Sequence, residues 1–115
     1  MAQAHFFHAS EMEWQSHPTI RGIHIKSLEN KNTLETASVT LVEVDPGGVI
    51  EPHLHEQSSE TAYIMSGRAV LTLPDGEVTL STGDGVTVPP RTVHSLRNTS
   101  GEPVEILAVH IPPTL

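Results

Sequence analysis

His53, His55 and Glu60 fall within eight residues of one another, and His94 follows later in the chain. Imidazole nitrogens and a carboxylate oxygen are donors that borderline divalent metals prefer, with zinc–nitrogen bonds of about 2.0–2.1 Å. Residues two apart on a strand project to one face, so a strand through His53 and His55 aims both rings at one point. A polar turn, Glu56-Gln57-Ser58-Ser59, then brings Glu60 round to the same point, with Glu56 as its rival. A single His in such a place is usually an ordinary polar residue at a strand end. Three of them beside a carboxylate predict a mononuclear metal site at His53, His55, Glu60 and His94. Four protein donors leave an octahedral ion two positions for water, oxygen or substrate, which is an open and potentially catalytic arrangement.

Such donors have to be carried by short strands, and the pattern supplies them. Segments 36–44, 49–55, 61–65, 68–73, 77–80, 86–88, 93–97 and 104–111 alternate or are rich in β-branched residues. Turn chemistry separates them: Asp45-Pro46-Gly47-Gly48, Pro74-Asp75-Gly76, Gly83-Asp84-Gly85 and Asn98-Thr99-Ser100-Gly101. Pro89-Pro90 marks a corner, because proline cannot donate to a central ladder. Residues 20–26 read as a first, edge strand and 29–33 as a polar loop. No apolar period of 3.6 residues persists long enough for a helix, so the chain is all-β, as a sandwich, jelly roll or small barrel. Residues 10–13 offer one capped helical turn inside a segment, 1–19, that carries Phe6, Phe7 and Trp14. This segment reads as an arm that packs on its own barrel or on a partner.

Length and composition narrow the function. The 115 residues fit one domain, 1–115, with one core. Cysteine is absent, which closes disulfide and thiolate chemistry and is compatible with a reducing compartment. Neither a basic-then-apolar leader nor a run of roughly 18 apolar residues is visible, so the expectation is a soluble, cytoplasmic protein with no membrane partner. A formal charge of -8 repels phosphate backbones, so nucleic acid is not expected either. The four aromatic residues, Phe6, Phe7, Trp14 and Tyr63, are too few for a stacking platform.

The spacing of the candidate donors resembles that of the cupins, a family of small double-stranded β-helix barrels of jelly-roll type. Gly47, His53, His55, Glu60 and Gly67 match the family's first motif, and Gly83, Pro89, His94 and Asn98 match its second. Arg91 stands where the second motif has glycine, which leaves the backbone of that turn open. Together the motifs cover positions 47–98. The resemblance implies one manganese, iron, nickel or zinc ion per chain, held by His53, His55, Glu60 and His94. It also implies a homodimer formed by exchange of N-terminal strands. Cupin activities range over dioxygenases, isomerases, decarboxylases, lyases and sensors, so fold alone does not choose among them.

Counting by twos places Leu96 and Asn98 beside His94, and Ala62 and Ile64 beside Glu60, which predicts a largely aliphatic pocket wall. On the last strand Val104, Ile106, Ala108 and His110 share a face. His110 is then either an inward proton carrier near the mouth or a surface residue at the strand end. Thr40 either lines the pocket or serves strand propensity; Arg91 either holds an anionic substrate at the rim or is a solvated turn residue. His5 and His8 have spacing for a second metal, but no carboxylate is fixed near them. With His110 as the only inward acid or base, chemistry at the metal is favoured over paired acid–base work. The leading expectation is a metal-dependent oxygenase or dioxygenase acting on a small organic substrate. An isomerase or lyase comes next, and a non-catalytic small-ligand binding or sensing module is the reading from a different class.

Overall fold

The structure is a computed structural model that describes residue 4 and residues 6–115. His5 lies outside the described residues, and with it the His5–His8 pairing; so does the start of the arm. Ten strands form two antiparallel sheets, and no α-helix occurs among the described residues. The larger sheet holds β1 (Gln15–Ser16), β2 (Ile23–Glu29), β3 (Ser38–Val44), β10 (Val104–Ile111), β5 (Ser59–Ser66) and β8 (Gly85–Val88), in that spatial order. The smaller holds β4 (Val49–His53), β9 (His94–Arg97), β6 (Arg68–Leu73) and β7 (Gly76–Ser81).

Alternation along the strands closes the interior. On β10, Val104, Ile106 and Ala108 are buried while their neighbours are partly open, the two-residue period of a strand with one face on a core. Val104 lies opposite Val44, and Ile106 lies opposite Val42 and Ile64. From the smaller sheet Leu71, Ala69 and Leu80 complete one hydrophobic cluster with Ile23, Ile64 and Ile106. Full burial of a side chain such as Ile64 stabilises the fold by about 1.5–3 kcal/mol.

Inner-face residues line up in rungs across the larger sheet. In the rung nearest one end of the barrel, Ser38 pairs with His110, His110 with Glu60, and Glu60 with Val88. The next rung toward the core runs Ser27, Thr40, Ala108, Ala62 and Val86. Register therefore sets His110 and Glu60 side by side at one end of the barrel, with Thr40 and the small or aliphatic Ala108, Ala62 and Val86 below them.

Some local expectations change. The expected capped helical turn at 10–13 is instead a 3-10 turn, Ala9–Glu11, preceded by His8 with no side-chain cap. Lys26 holds this arm: its Nζ donates to Ala9 O at 2.7 Å and lies 4.6 Å from the centre of the Trp14 ring. Phe6, by contrast, is 84% exposed. The first long strand runs 23–29 rather than 20–26, because Gly22 at φ 79° turns the chain and pairing with β3 continues through Glu29. Glu29 is accordingly a buried strand end, accepting a hydrogen bond from the Thr33 hydroxyl, and not part of a loop.

Gly67 allows the tight passage from β5 to β6. It sits at φ 95°, and a Cβ there would fall 2.8 Å from Pro103 O. Only glycine meets both conditions without strain.

Candidate metal centre

Both sheets contribute to the donor cluster. His53 closes β4 and His94 opens β9, and the two are direct partners across that ladder, with ring centres 4.3 Å apart. Glu60 faces them from β5 in the other sheet. His55 is not on a strand as expected: β4 ends at His53, after Pro52 and a break in register, so His55 comes from the following loop. Its backbone carbonyl is tied by the Arg91 N–H at 2.8 Å, which fastens the His55 loop to the turn before His94. One donor atom from each of His53, His55, Glu60 and His94 lies within 4.8 Å of all the others.

The rings are oriented by their far nitrogens. His53 Nδ1 bonds Glu51 O at 2.8 Å and His94 Nδ1 bonds Thr92 O at 2.9 Å. A carbonyl only accepts, so Nδ1 carries hydrogen in each ring and Nε2 is the nitrogen turned toward the cluster, where that of His94 meets Glu60 Oε1 and would exchange this contact for a cation. His55 Nε2 is buried and lies 3.3 Å from Glu60 Oε1 without the alignment of a hydrogen bond. A buried ring nitrogen with no hydrogen-bond partner, among two more imidazoles and a carboxylate, fits a divalent transition metal.

Glu60 Oε1 is the electrostatic centre. His94 Nε2 stands 3.1 Å away and His110 Nε2 3.2 Å away. Burial pushes the Glu60 carboxyl up, but hydrogen bonds from His110 and His94 outweigh it and hold the group well below the usual carboxylate range. The His94 pKa is raised, chiefly by its hydrogen bond to Glu60. That of His55 is lowered, first by burial and then by the neighbouring His110.

His110 therefore faces inward, its side chain 12% exposed. Leu96 and Thr40 also line the cavity, as do Ala62 and Ile64, so the expected aliphatic wall is present. The cavity measures about 640 Å³. Arg91 is exposed and absent from its wall. Instead Arg91 holds φ 58°, the left-handed conformation for which glycine is the ready choice at this motif position.

His110 is not alone among the titratable groups at the wall, because His17 also reaches it; Glu51 borders the cavity but is exposed. His17 belongs to the arm, where no strand period applies. Its Nδ1 accepts from the backbone N–H groups of Thr19 and Ile20 at 3.2 and 3.1 Å. The C-terminal Thr114 and Leu115 line the same cavity.

A two-sheet antiparallel barrel with a His/Glu cluster opening onto an aliphatic cavity defines a small β-barrel protein with a metal-type pocket. The family model described as "Cupin domain" matches residues 40–110, more than half of the chain, and the chain belongs to the cupin family. It is similar to Germin-like protein 5-1 of Oryza sativa subsp. japonica, at 40% identity over 97 residues that cover 78% of this chain. That match spans only 40% of the rice protein's length. Among solved structures it resembles KdgF from Halomonas sp., with a TM-score of 0.83, 25% identity and coverage of 96% of this chain and 94% of that one. A predicted oxalate decarboxylase from Thermotoga maritima shares the fold, with a TM-score of 0.85 at 24% identity and coverage of 94% and 99%.

Proposed function

We propose that this cupin is a mononuclear metal-dependent enzyme acting on a small, largely hydrocarbon organic substrate, with oxygenase chemistry as the leading subclass. The observation that carries the reading is the position of the donor cluster, which opens directly onto the aliphatic cavity. His53, His55, Glu60 and His94 would hold the ion, and manganese, iron, nickel and zinc all suit this donor set. Once bound, such an ion supplies Lewis acidity and a template for oxygen or substrate.

The chain's own groups do the remaining work. Ile64, Leu71, Leu96 and Ile106 exclude water and select an apolar substrate body. His110 lies against Glu60 and faces the cavity, where it can take or return a proton. That placement favours isomerase or lyase chemistry as the second reading.

The reading includes a homodimer in the cytoplasm with no nucleic-acid partner, the last consistent with the charge of -8. No helix among the described residues is long and apolar enough to cross a membrane. Leu41, Leu107 and Tyr63 form one row on the outer face of the larger sheet, the surface on which a second copy would pack.

Oxygen uptake by manganese- or iron-loaded protein with electron-rich phenols, enols or alkenes tests the subclass. Uptake that His55→Ala abolishes supports an oxygenase. Turnover that is unchanged without oxygen rejects it in favour of the isomerase or lyase.

A further inference from the structure

Two polar atoms in the cavity wall outside the four-donor cluster are buried with no hydrogen-bond partner among the described residues: Thr40 Oγ1 and His110 Nδ1. Thr40 is 3% exposed. Burial of one hydroxyl without a partner is unfavourable and uncommon in a folded protein. Two such atoms on one face of one sheet point to a ligand.

The register places them side by side. Across the β3–β10 ladder Thr40 lies opposite Ala108 and Ser38 opposite His110, so Thr40 and His110 are diagonal neighbours on the inner face. Diagonal pairs stand roughly 7–8 Å apart along the backbone, a separation that a ring such as that of His110 reaches across. The residues beside them are small: Ala108 faces Thr40 across the ladder, and Ala62 lies beyond it.

Hydrogen-bond chemistry then sets what fits. His110 Nε2 faces Glu60 Oε1 at 3.2 Å, and because a carboxylate only accepts, this contact favours hydrogen on Nε2. In the neutral ring Nδ1 is then an acceptor. The Thr40 hydroxyl both donates and accepts.

We propose that Thr40 Oγ1 and His110 Nδ1 form a second polar subsite, separate from the metal donors, that binds a hydroxyl group of the substrate. The ligand hydroxyl donates to His110 Nδ1 and accepts from the Thr40 hydroxyl. A carboxylate offers no hydrogen to Nδ1 and is disfavoured. The substrate class is thereby narrowed to alcohols, phenols or enols with a mostly hydrocarbon body. This rests on the reading of the cavity as the substrate site, but not on which ion is bound.

The test is an NMR titration of the full chain with benzyl alcohol and with toluene, in zinc-loaded and chelator-treated protein. Thr40→Val keeps the shape and removes the hydroxyl. It is expected to weaken benzyl alcohol by about 5- to 10-fold while leaving toluene as tight or tighter, in both forms of the protein. Thr40→Ser is expected to retain benzyl alcohol within about twofold of the parent, since the hydroxyl remains. The His110 Nδ1 resonance should move with benzyl alcohol and stay put with toluene. Equal effects of Thr40→Val on both probes, or failure of benzyl alcohol to bind at all, overturn the subsite. So does an alcohol effect confined to zinc-loaded protein, which would place the hydroxyl on the metal. Failure of the metal reading alone would appear as absent zinc uptake with the chelator-treated titration unchanged.

Discussion

His110 Nε2 stands 3.2 Å from Glu60 Oε1, and the two residues are direct partners across the β10–β5 ladder. His110 is thus a brace for a candidate metal ligand as well as a wall of the cavity. Groups that orient metal ligands typically contribute 10- to 100-fold in affinity. His110→Phe should accordingly weaken metal binding by about 10- to 100-fold, read by competition with a chelating dye. Unchanged affinity would leave His110 a role toward substrate alone.

Asn98 is 1% exposed and joins three segments. Its Nδ2 donates to Val44 O, Asp45 O and Glu102 O, at 3.1, 3.2 and 2.7 Å. Its Oδ1 accepts from the Ser100 N–H and hydroxyl. The motif asparagine is therefore structural. Asn98→Ala removes the link among these segments, including the buried bond to Val44 O, at a cost of roughly 1–3 kcal/mol, visible as a lower urea midpoint, while the folded fraction keeps its metal stoichiometry.

Arg91 at φ 58° carries the strain that glycine avoids. A left-handed backbone costs a non-glycine residue roughly 1–2 kcal/mol, against roughly 0.5–1 kcal/mol of extra chain entropy for glycine. Arg91→Gly should therefore raise the urea midpoint slightly. A lowered midpoint would mean that the Arg91 side chain contributes more than its exposure implies.

Much of the fold was legible because strand parity is a strong rule. It put Val104, Ile106, Ala108 and His110 on one face with the observed strand limits, and it put Leu96 beside His94. Motif spacing singled out four side chains that the structure brings within reach of one another, without their geometry. Parity gave no purchase where the chain leaves the ladder. His55 sits past the end of β4, yet the Arg91 N–H to its carbonyl brings it to the same point. His17 reaches the cavity from an arm with no period at all. Arg91 in place of glycine left the turn open in the sequence, and the structure shows that the backbone conformation survives the exchange.

Association is tested by the outer row of Leu41, Leu107 and Tyr63, the last 47% exposed. Light scattering at micromolar concentration should give twice the 12.5 kDa chain mass, and Leu107→Lys should return the single-chain value. A 12.5 kDa species from the parent protein would reject the dimer.

The most direct measurement is elemental analysis of protein purified without added metal, beside His53→Ala prepared in the same way. His53, His55, Glu60 and His94 converging on one point predict close to one transition-metal ion per chain in the parent and little in the variant. Equal metal content in the two would contradict the site and the function built on it.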